Sequence, residues 1–285
     1  MRCPRLHRTQ TGTVGLPSKP WNPGMPPEHG SRIPHHAGAI RQDQVMAPTD
    51  VGTVEPPQTC LDWVKAADPR EVILNHAITV DLTWWNDALR ARDLPGGPVV
   101  GHDPAGRPVD QGKPVITRGD LFSLAAASSG SPTDTLALLW HTLAWGAGGK
   151  VRQVLNRMDS VAKDRSAAAL ALRTAAQLSH GDPDAAYDTL YPRGRAVIAY
   201  LGPSFFTKYL YFAGAGAPDH PSLILDSRVA SALVDLGWSS LHPEGGWPAV
   251  TYQRYCTLLA RWAHEAGNLR PDLFERWLFA HSRIS

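Results

Sequence analysis

The chain has 285 residues, of which 43% are apolar and 19% charged, with 25 Gly and 25 Pro. This composition is typical of a globular protein and excludes a collagen-like or wholly disordered chain. The formal net charge is +2, and the 22 basic and 23 acidic residues beyond position 50 nearly balance. The main part of the chain is therefore not globally basic, so a nucleic-acid partner would have to be held by a local patch of cations.

Three cysteines, Cys3, Cys60 and Cys256, are widely separated and form no CxxC pair. This pattern indicates neither a disulfide framework nor a zinc site, so we expect a cytoplasmic location and no metal. No apolar run approaches the ~20 residues that a membrane helix needs, so no membrane partner is expected.

Two segments follow one another along the chain. Residues 1–57 are rich in Pro, Gly and His and show no apolar periodicity. Such a segment cannot bury enough surface to offset its ordering entropy, which predicts a disordered tail. From residue 58 to residue 285 the pattern becomes helical, and we expect one domain there.

Apolar spacing and capping residues predict most of the helices of this domain. Thr59 and Asp81 can each cap a short helix, Ser160 can cap a long one that runs to residue 178, and Asp182 precedes a proline at a helix start. Further helices are expected at 120–128, 133–147, 204–214, 227–236, 248–267 and 271–281. Residues 94–118 contain five prolines and five glycines and predict a long loop, with one small hairpin at most. With no convincing strand pair, the fold class is all-α.

The segment from Tyr200 to Leu233 is the most informative. Ser204 follows a Gly-Pro turn and can cap a helix that is apolar on nearly every side, with Lys208 as its one cation. Two interpretations of this lysine remain open. Its ammonium can reach water along a narrow polar stripe, or it can line a cleft where apolar surroundings disfavour the charged form, as a Schiff-base lysine requires.

Asp226 lies 18 residues beyond this lysine, after an apolar Leu-Ile-Leu run and at the start of the next helix. Capping that helix explains an aspartate here without any further function. A carboxylate in this position can also lie next to the lysine, and the two roles are compatible.

These residues resemble the helix-hairpin-helix DNA glycosylases, in particular the 8-oxoguanine branch. Thr207-Lys208 matches the Thr-Lys at the start of that family's apolar helix, and residues 225–229, Leu-Asp-Ser-Arg-Val, match the motif around its aspartate. The resemblance is clear over residues 197–235, and a similar helical layout extends over 59–285. One departure is the hairpin, which reads Leu-Gly-Pro-Ser at 201–204 and has a single glycine.

The resemblance implies a two-lobed helical domain that excises a modified base, with 8-oxoguanine as the first candidate, from double-stranded DNA. It implies that Lys208 attacks C1′ of an extruded nucleotide and forms an imine, which gives AP lyase activity, while Asp226 stabilises the cationic sugar. No cofactor is required, and a monomer is expected.

Other residues are assigned to DNA contacts. The resemblance implies that Arg228 and the hairpin residues Gly202, Ser204 and Thr207 contact the DNA backbone. Residues 141–180 carry a surplus of four positive charges, which include Lys150 and Arg152, and predict a further backbone patch. A base pocket needs aromatic faces; the candidates are Trp140, Trp145, Tyr211, Phe212, Tyr252 and Trp262.

Two alternatives stay open. The unusual hairpin could suit a different lesion or a hypermodified base of invading phage DNA, with the same chemistry. The chain could also be a catalytically silent helical module that binds DNA or another protein.

Overall fold

The computed structural model describes residues 53–149 and 152–282. The expected disordered tail therefore lies outside the described residues, except for 53–57. At its end, Val54 is buried, and its carbonyl oxygen accepts hydrogen bonds from Trp262 Nε1 at 3.1 Å and from Arg261 Nη2 at 2.8 Å. The packed part of the chain thus begins before the boundary that composition predicts.

Helices make up most of the described chain, which confirms the all-α class. A single π-helical turn, Arg70–Leu74, and a short 3₁₀ turn, Pro192–Gly194, accompany them. The α-helices are α1 Gln58–Ala66, α2 Leu82–Arg90, α3 Arg118–Ala126, α4 Pro132–Ala147, α5 Val154–Lys163, α6 Arg165–Leu178, α7 Pro183–Leu190, α8 Pro203–Ala213, α9 Ser227–Asp235, α10 Ala249–Glu265 and α11 Pro271–His281.

A small antiparallel sheet is present, which is more than the single small hairpin that the sequence allows for. Its strands are β1 Ala77–Thr79, β2 Gly101–His102, β3 Pro108–Val109 and β4 Val115–Thr117, in the order β1-β4-β2-β3. Strands β2 and β3 form the hairpin allowed for in the 94–118 loop, and β4 pairs with β1 through Ile78 and Ile116. Strands of two or three residues are too short to show an alternating pattern in the sequence.

Several predicted caps are present. The side chains of Asp81, Asp182 and Asp226 each accept hydrogen bonds from backbone N–H groups in the first turn of α2, α7 and α9. An N-terminal helix turn leaves such N–H groups without partners, so a short carboxylate side chain is favoured there. The local rule therefore places three helix starts correctly.

Other helix starts differ from the prediction. Ser160 does not cap a long helix, because it lies inside α5, and Asp164 caps the separate helix α6. Helix α1 begins after Pro57 rather than at Thr59, and α8 has Gly202 rather than Ser204 at its N-cap. In each case a capping residue type lies within a turn of the true start, and spacing alone does not separate the two positions.

Helix α8 is central to the domain. It packs against α3, α4, α6 and α7, and its residues from Phe206 to Phe212 are all buried. Helix α11 packs against α1, α9 and α10 and against the π-helical turn. Among the residues that the structure describes, no helix is long and apolar enough to span a bilayer.

Candidate active site

Lys208 is the cation of helix α8, and it is buried. Its Nζ donates a hydrogen bond to the carbonyl oxygen of Ser204, one turn earlier, at 2.7 Å. The side chain also runs past helix α4, where a Cβ added to Gly146 would lie 3.0 Å from Lys208 Cδ. The missing side chain at Gly146 therefore leaves room for the stem of the lysine.

Asp226 is held in place by the extended segment that precedes it. Residues 223–225 are buried without belonging to a sheet, and side-chain hydroxyls satisfy their carbonyl oxygens. Tyr252 donates to the carbonyl of Leu223 at 2.8 Å and Tyr255 to that of Ile224 at 2.6 Å, while Thr207 contacts that of Leu225 at 3.1 Å. These bonds allow a polar backbone to enter the core and end at the aspartate.

Lys208 and Asp226 form a buried ion pair, in which Nζ lies 2.9 Å from Oδ2; their side chains are 8% and 11% exposed. The other carboxylate oxygen, Oδ1, accepts from the backbone N–H groups of Arg228 and Val229. Burial raises the pKa of Asp226, but the charge and hydrogen bond of Lys208 and the two backbone donors together outweigh it, so this pKa lies below its usual value. The carboxylate is therefore ionised at neutral pH, where it can stabilise a nearby positive charge and take a proton from the lysine.

The pair lies at a small cavity of about 90 Å³. Helices α3, α4, α8 and α11 contribute to its wall, together with β1 and the extended segment before Asp226. The lining residues are His76, Ile78, Arg118, Trp145, Gly146, Lys208, Ile224, Asp226, Glu275 and Phe279. The lysine and the aspartate thus share this space with two aromatic rings, an imidazole and a second ion pair.

That second ion pair, between Arg118 of α3 and Glu275 of α11, is completely buried. Arg118 Nη1 lies 2.8 Å from Glu275 Oε2 and Nη2 lies 3.2 Å from Oε1, and each side chain is 1% exposed. Burial alone would lower the pKa of Arg118, but Glu275 and Tyr211 outweigh it and raise that pKa. The guanidinium stays charged and joins the two helices across the back of the cavity.

His76 lies just before β1. Its ring packs edge-on against Trp145, with centroids 5.2 Å apart, and is tilted against Phe279 at 6.3 Å. Burial, followed by the charges of Arg118 and Arg276, lowers the pKa of His76 to about 3. The imidazole is therefore neutral at physiological pH.

Two arginines flank Phe279 at the edge of the cavity. The guanidinium carbon of Arg228 lies 4.4 Å from the centroid of the Phe279 ring and that of Arg276 lies 5.8 Å from it. Arg228 also donates to Ser282 Oγ at 3.1 Å. Arg228, two residues after Asp226, therefore lies close to the Lys208 cavity.

The other residues predicted to bind the DNA backbone are dispersed. Gly202 and Ser204 are half-buried at the first turn of α8, and Arg152 is exposed just before α5. Thr207 is completely buried, and its hydroxyl bonds to Pro203 and Leu225, so its side chain does not face solvent. Lys150 lies outside the described residues.

Part of the positive charge expected on residues 141–180 is buried or paired with an acidic side chain. Arg157 is buried, donates from Nε to the carbonyl oxygen of Tyr200 at 2.8 Å and stacks on Phe205. Arg165 pairs with Asp93 at 3.2 Å. Arg157 therefore anchors a neighbouring segment inside the protein, whereas Arg165 forms an ion pair at the surface.

The aromatic residues predicted to form the base pocket are buried in the core. None of Trp140, Tyr211, Phe212, Tyr252 and Trp262 lines the Lys208 cavity. Their polar atoms have internal partners: Trp140 Nε1 donates to the carbonyl of Pro95 at 2.8 Å, and Tyr211 donates to Asp272 Oδ2 at 2.8 Å. Trp145 is the member of the wider aromatic set that reaches the cavity.

Sequence reasoning missed His76, Arg118, Glu275 and Phe279. They come from the residue before β1, from α3 and from α11, far from the informative segment, and none belongs to a local motif. Phe279 and Glu275 are four residues apart and therefore share one face of α11, but this spacing is equally typical of plain core packing. Within 53–149 and 152–282, no three His, Cys, Asp or Glu side chains come together as a metal site requires.

An all-α domain that brings a lysine and an aspartate together at a cavity is the arrangement that the resemblance to DNA glycosylases predicts. Residues 71–279 match the model of a protein family described as "Putative 8-oxoguanine DNA glycosylase OGG-like protein". This match covers most of the chain, and the chain belongs to that family. At the family level, the match accordingly supports DNA glycosylase as the class of activity. No curated protein and no solved structure matches the chain.

Proposed function

We propose that this protein is a bifunctional DNA glycosylase that excises 8-oxoguanine or another modified base from duplex DNA and then cleaves the strand as an AP lyase. The observation that carries the proposal is the distance of 2.9 Å between Lys208 Nζ and Asp226 Oδ2 in a buried pair at a cavity. A lysine that served only solubility would have its ammonium in water. Here the nitrogen faces a space that also has aromatic walls.

The reaction begins with extrusion of the nucleotide, because C1′ cannot be reached inside the duplex. Lys208 must first lose a proton, and Asp226 Oδ2 is within hydrogen-bonding distance to accept it. The amine then attacks C1′, the N-glycosidic bond breaks, and its electron pair leaves with the base, which takes up the proton that Asp226 had accepted. A proton then moves from the nitrogen to O4′ as the C1′–O4′ bond opens, which gives a protonated imine.

Strand cleavage follows from the imine. Loss of a proton from C2′ allows the C3′–O bond to break, so that the 3′ phosphate leaves and the imine is then hydrolysed. Asp226 is ionised again once the base has taken up its proton, and we propose that its negative charge then stabilises the positive charge on the sugar and the imine. In a site with little water such a fixed charge is more effective than in bulk solvent.

DNA binding is assigned to the face around the cavity. Arg228 lies beside Phe279 at the cavity edge and is proposed to bind a phosphate next to the extruded nucleotide. Gly202 and Ser204, at the first turn of α8, and the exposed Arg152 are proposed as further backbone contacts. Backbone N–H groups at a helix start favour anions, which suits a phosphate at Gly202 and Ser204.

Borohydride trapping tests the proposal directly. Wild type, Lys208→Gln, Asp226→Asn and the control Lys65→Gln, at an exposed lysine of α1, would be incubated with duplexes that carry 8-oxoguanine, other modified bases or an abasic site. We expect wild type and Lys65→Gln to form a covalent complex and Lys208→Gln to form none while still binding DNA. A Lys208→Gln protein that releases base as fast as wild type would refute the lysine mechanism.

The choice of duplexes separates the possible substrates. Release of 8-oxoguanine by wild type supports the first candidate, and release of only another modified base assigns the same chemistry to that base. A wild-type protein that binds duplex DNA but gives no abasic product and no trapped complex on any duplex would contradict the enzymatic proposal.

A further inference from the structure

Two residues that line the cavity each have a buried side-chain nitrogen that forms no hydrogen bond among the residues that the structure describes. His76 Nδ1 and Arg118 Nε are buried and form no hydrogen bond among the described residues, and both residues line the cavity. A buried polar atom without a partner costs stability, and native structures leave few of them. Two such atoms on one cavity therefore indicate that a ligand supplies the missing partners.

The His76 ring is held in a fixed position. Its backbone carbonyl accepts hydrogen bonds from the N–H of Arg118 at 3.1 Å and from Trp145 Nε1 at 3.4 Å. The ring contacts Trp145 on one side and Phe279 on another. A ring that is restrained in this way loses little conformational entropy when a ligand binds.

The chemistry of the two nitrogens defines the ligand. Since His76 is neutral, each of its ring nitrogens can donate or accept a hydrogen bond, depending on the tautomer. Arg118 Nε–H can only donate, so its partner must be an acceptor such as a carbonyl oxygen. A guanine-type edge presents a carbonyl oxygen and a ring nitrogen side by side, and the rings of Trp145 and Phe279 provide apolar faces for a planar base.

We propose that His76 is a specificity residue that binds the polar edge of an extruded, carbonyl-bearing base through Nδ1, with Arg118 Nε–H as the second donor. The inference rests on the proposed glycosylase function and adds to it the means of reading the base. Lys208 and Asp226 act on the sugar, while His76 and Arg118 contact the base.

The test compares DNA with and without a base at the target position. His76→Phe keeps the ring contacts with Trp145 and removes both nitrogens, His76→Asn restores a polar atom near the position of Nδ1, and His264→Phe makes the same change at an exposed histidine of α10. On 8-oxoguanine duplex, single-turnover release should fall about tenfold in His76→Phe, the value expected for one lost hydrogen bond. His76→Asn should recover part of this loss, and His264→Phe should behave like wild type.

Cleavage of a preformed abasic site should be unchanged in His76→Phe, because no base is present to be read. A general defect in the fold would slow both reactions, and thermal unfolding checks this independently. Equal loss on abasic and base-containing DNA, or no loss on either, would overturn the specificity role.

Binding separates this inference from the lysine chemistry. In the Lys208→Gln background, affinity for 8-oxoguanine duplex is compared with affinity for the same duplex carrying a tetrahydrofuran abasic analogue. We expect a base-dependent gain in affinity that disappears when His76→Phe is added. Absence of that gain in Lys208→Gln, or its persistence in the double variant, would contradict base reading. If wild type releases no base but the gain in affinity is present and depends on His76, base reading is supported and only the proposed reaction is refuted.

Discussion

The variant Thr207→Val tests whether the Thr207 hydroxyl contacts DNA or instead holds the structure next to the nucleophile Lys208. The Thr207 hydroxyl is completely buried. It lies 2.8 Å from the carbonyl oxygen of Pro203 and 3.1 Å from that of Leu225, and it accepts from the N–H of Leu225 at 3.2 Å. It therefore joins helix α8, which carries Lys208, to the residue immediately before Asp226. Valine has nearly the same shape but cannot form these bonds.

The size of the effect follows from the groups that lose their partner. In Thr207→Val the buried N–H of Leu225 is left unsatisfied, which costs ~1–3 kcal/mol. For a domain of this size each kcal/mol lowers the melting temperature by ~2–4 °C, so we expect a decrease of roughly 2–12 °C. Thr207→Ser keeps the hydroxyl and loses one methyl group, for ~0.8 kcal/mol.

Catalysis should fall more than stability suggests, because the hydroxyl sets the position of Asp226 relative to Lys208. A shift of ~1 Å at a catalytic group can reduce a rate by about 100-fold. The assay is the rate of borohydride trapping on abasic duplex, with DNA affinity measured in parallel. We expect Thr207→Val to slow trapping with unchanged affinity and Thr207→Ser to remain close to wild type. A loss of DNA affinity at an unchanged trapping rate would refute this reasoning and favour a phosphate contact.

Two further predictions concern the buried charges. Glu275→Gln should destabilise the fold by ~3–5 kcal/mol, because it leaves the Arg118 guanidinium buried without its carboxylate. The double variant Arg118→Met, Glu275→Leu should lose less free energy of unfolding, which urea unfolding measures. A double variant whose loss equals the sum of the losses of both single variants would contradict the ion-pair argument. The pKa of Asp226 lies below its ordinary value of 3.8 in the folded protein, so the stabilisation from its pair with Lys208 is present at neutral pH and is lost as the pH falls below that value. The difference in unfolding free energy between wild type and Asp226→Asn should therefore be constant near neutral pH and shrink in acid, whereas a difference that already declines around pH 6 would show that another group controls it.

The local parts of the site could be predicted from the sequence. Asp226 was recognisable as a helix cap after an apolar run, and Lys208 was recognisable as a lone cation in an apolar helix. Both signals come from residues close together in the chain, where helix geometry decides which groups are neighbours. The capping prediction is confirmed by the backbone bonds to Asp226.

The rest of the site depends on long-range packing that no local pattern contains. Aromatic residues were the clearest example: Tyr252 and Tyr255 repeat at helical spacing, as any core residues do. Their hydroxyls are used to satisfy the carbonyls of the segment before Asp226. The aromatic residue Phe279, by contrast, reaches the cavity because α11 packs beside α9, and its sequence context does not distinguish it from its buried neighbours.

The distribution of unsatisfied polar atoms adds an argument that the sequence could not supply. Among the described residues, the buried side-chain nitrogens without a hydrogen-bond partner are His76 Nδ1, Arg118 Nε and Arg276 Nε, together with Trp85 Nε1 and Arg157 Nη1, which do not belong to the cavity. His76 and Arg118 line the Lys208 cavity, and Arg276 lies against Phe279, which also lines it. A structural ion pair is expected to have its neighbours satisfied, since each unpaired group lowers stability. A site that binds a polar ligand is expected to leave such groups open, and the clustering of these nitrogens beside Lys208 and Asp226 therefore favours a binding role over a purely structural one.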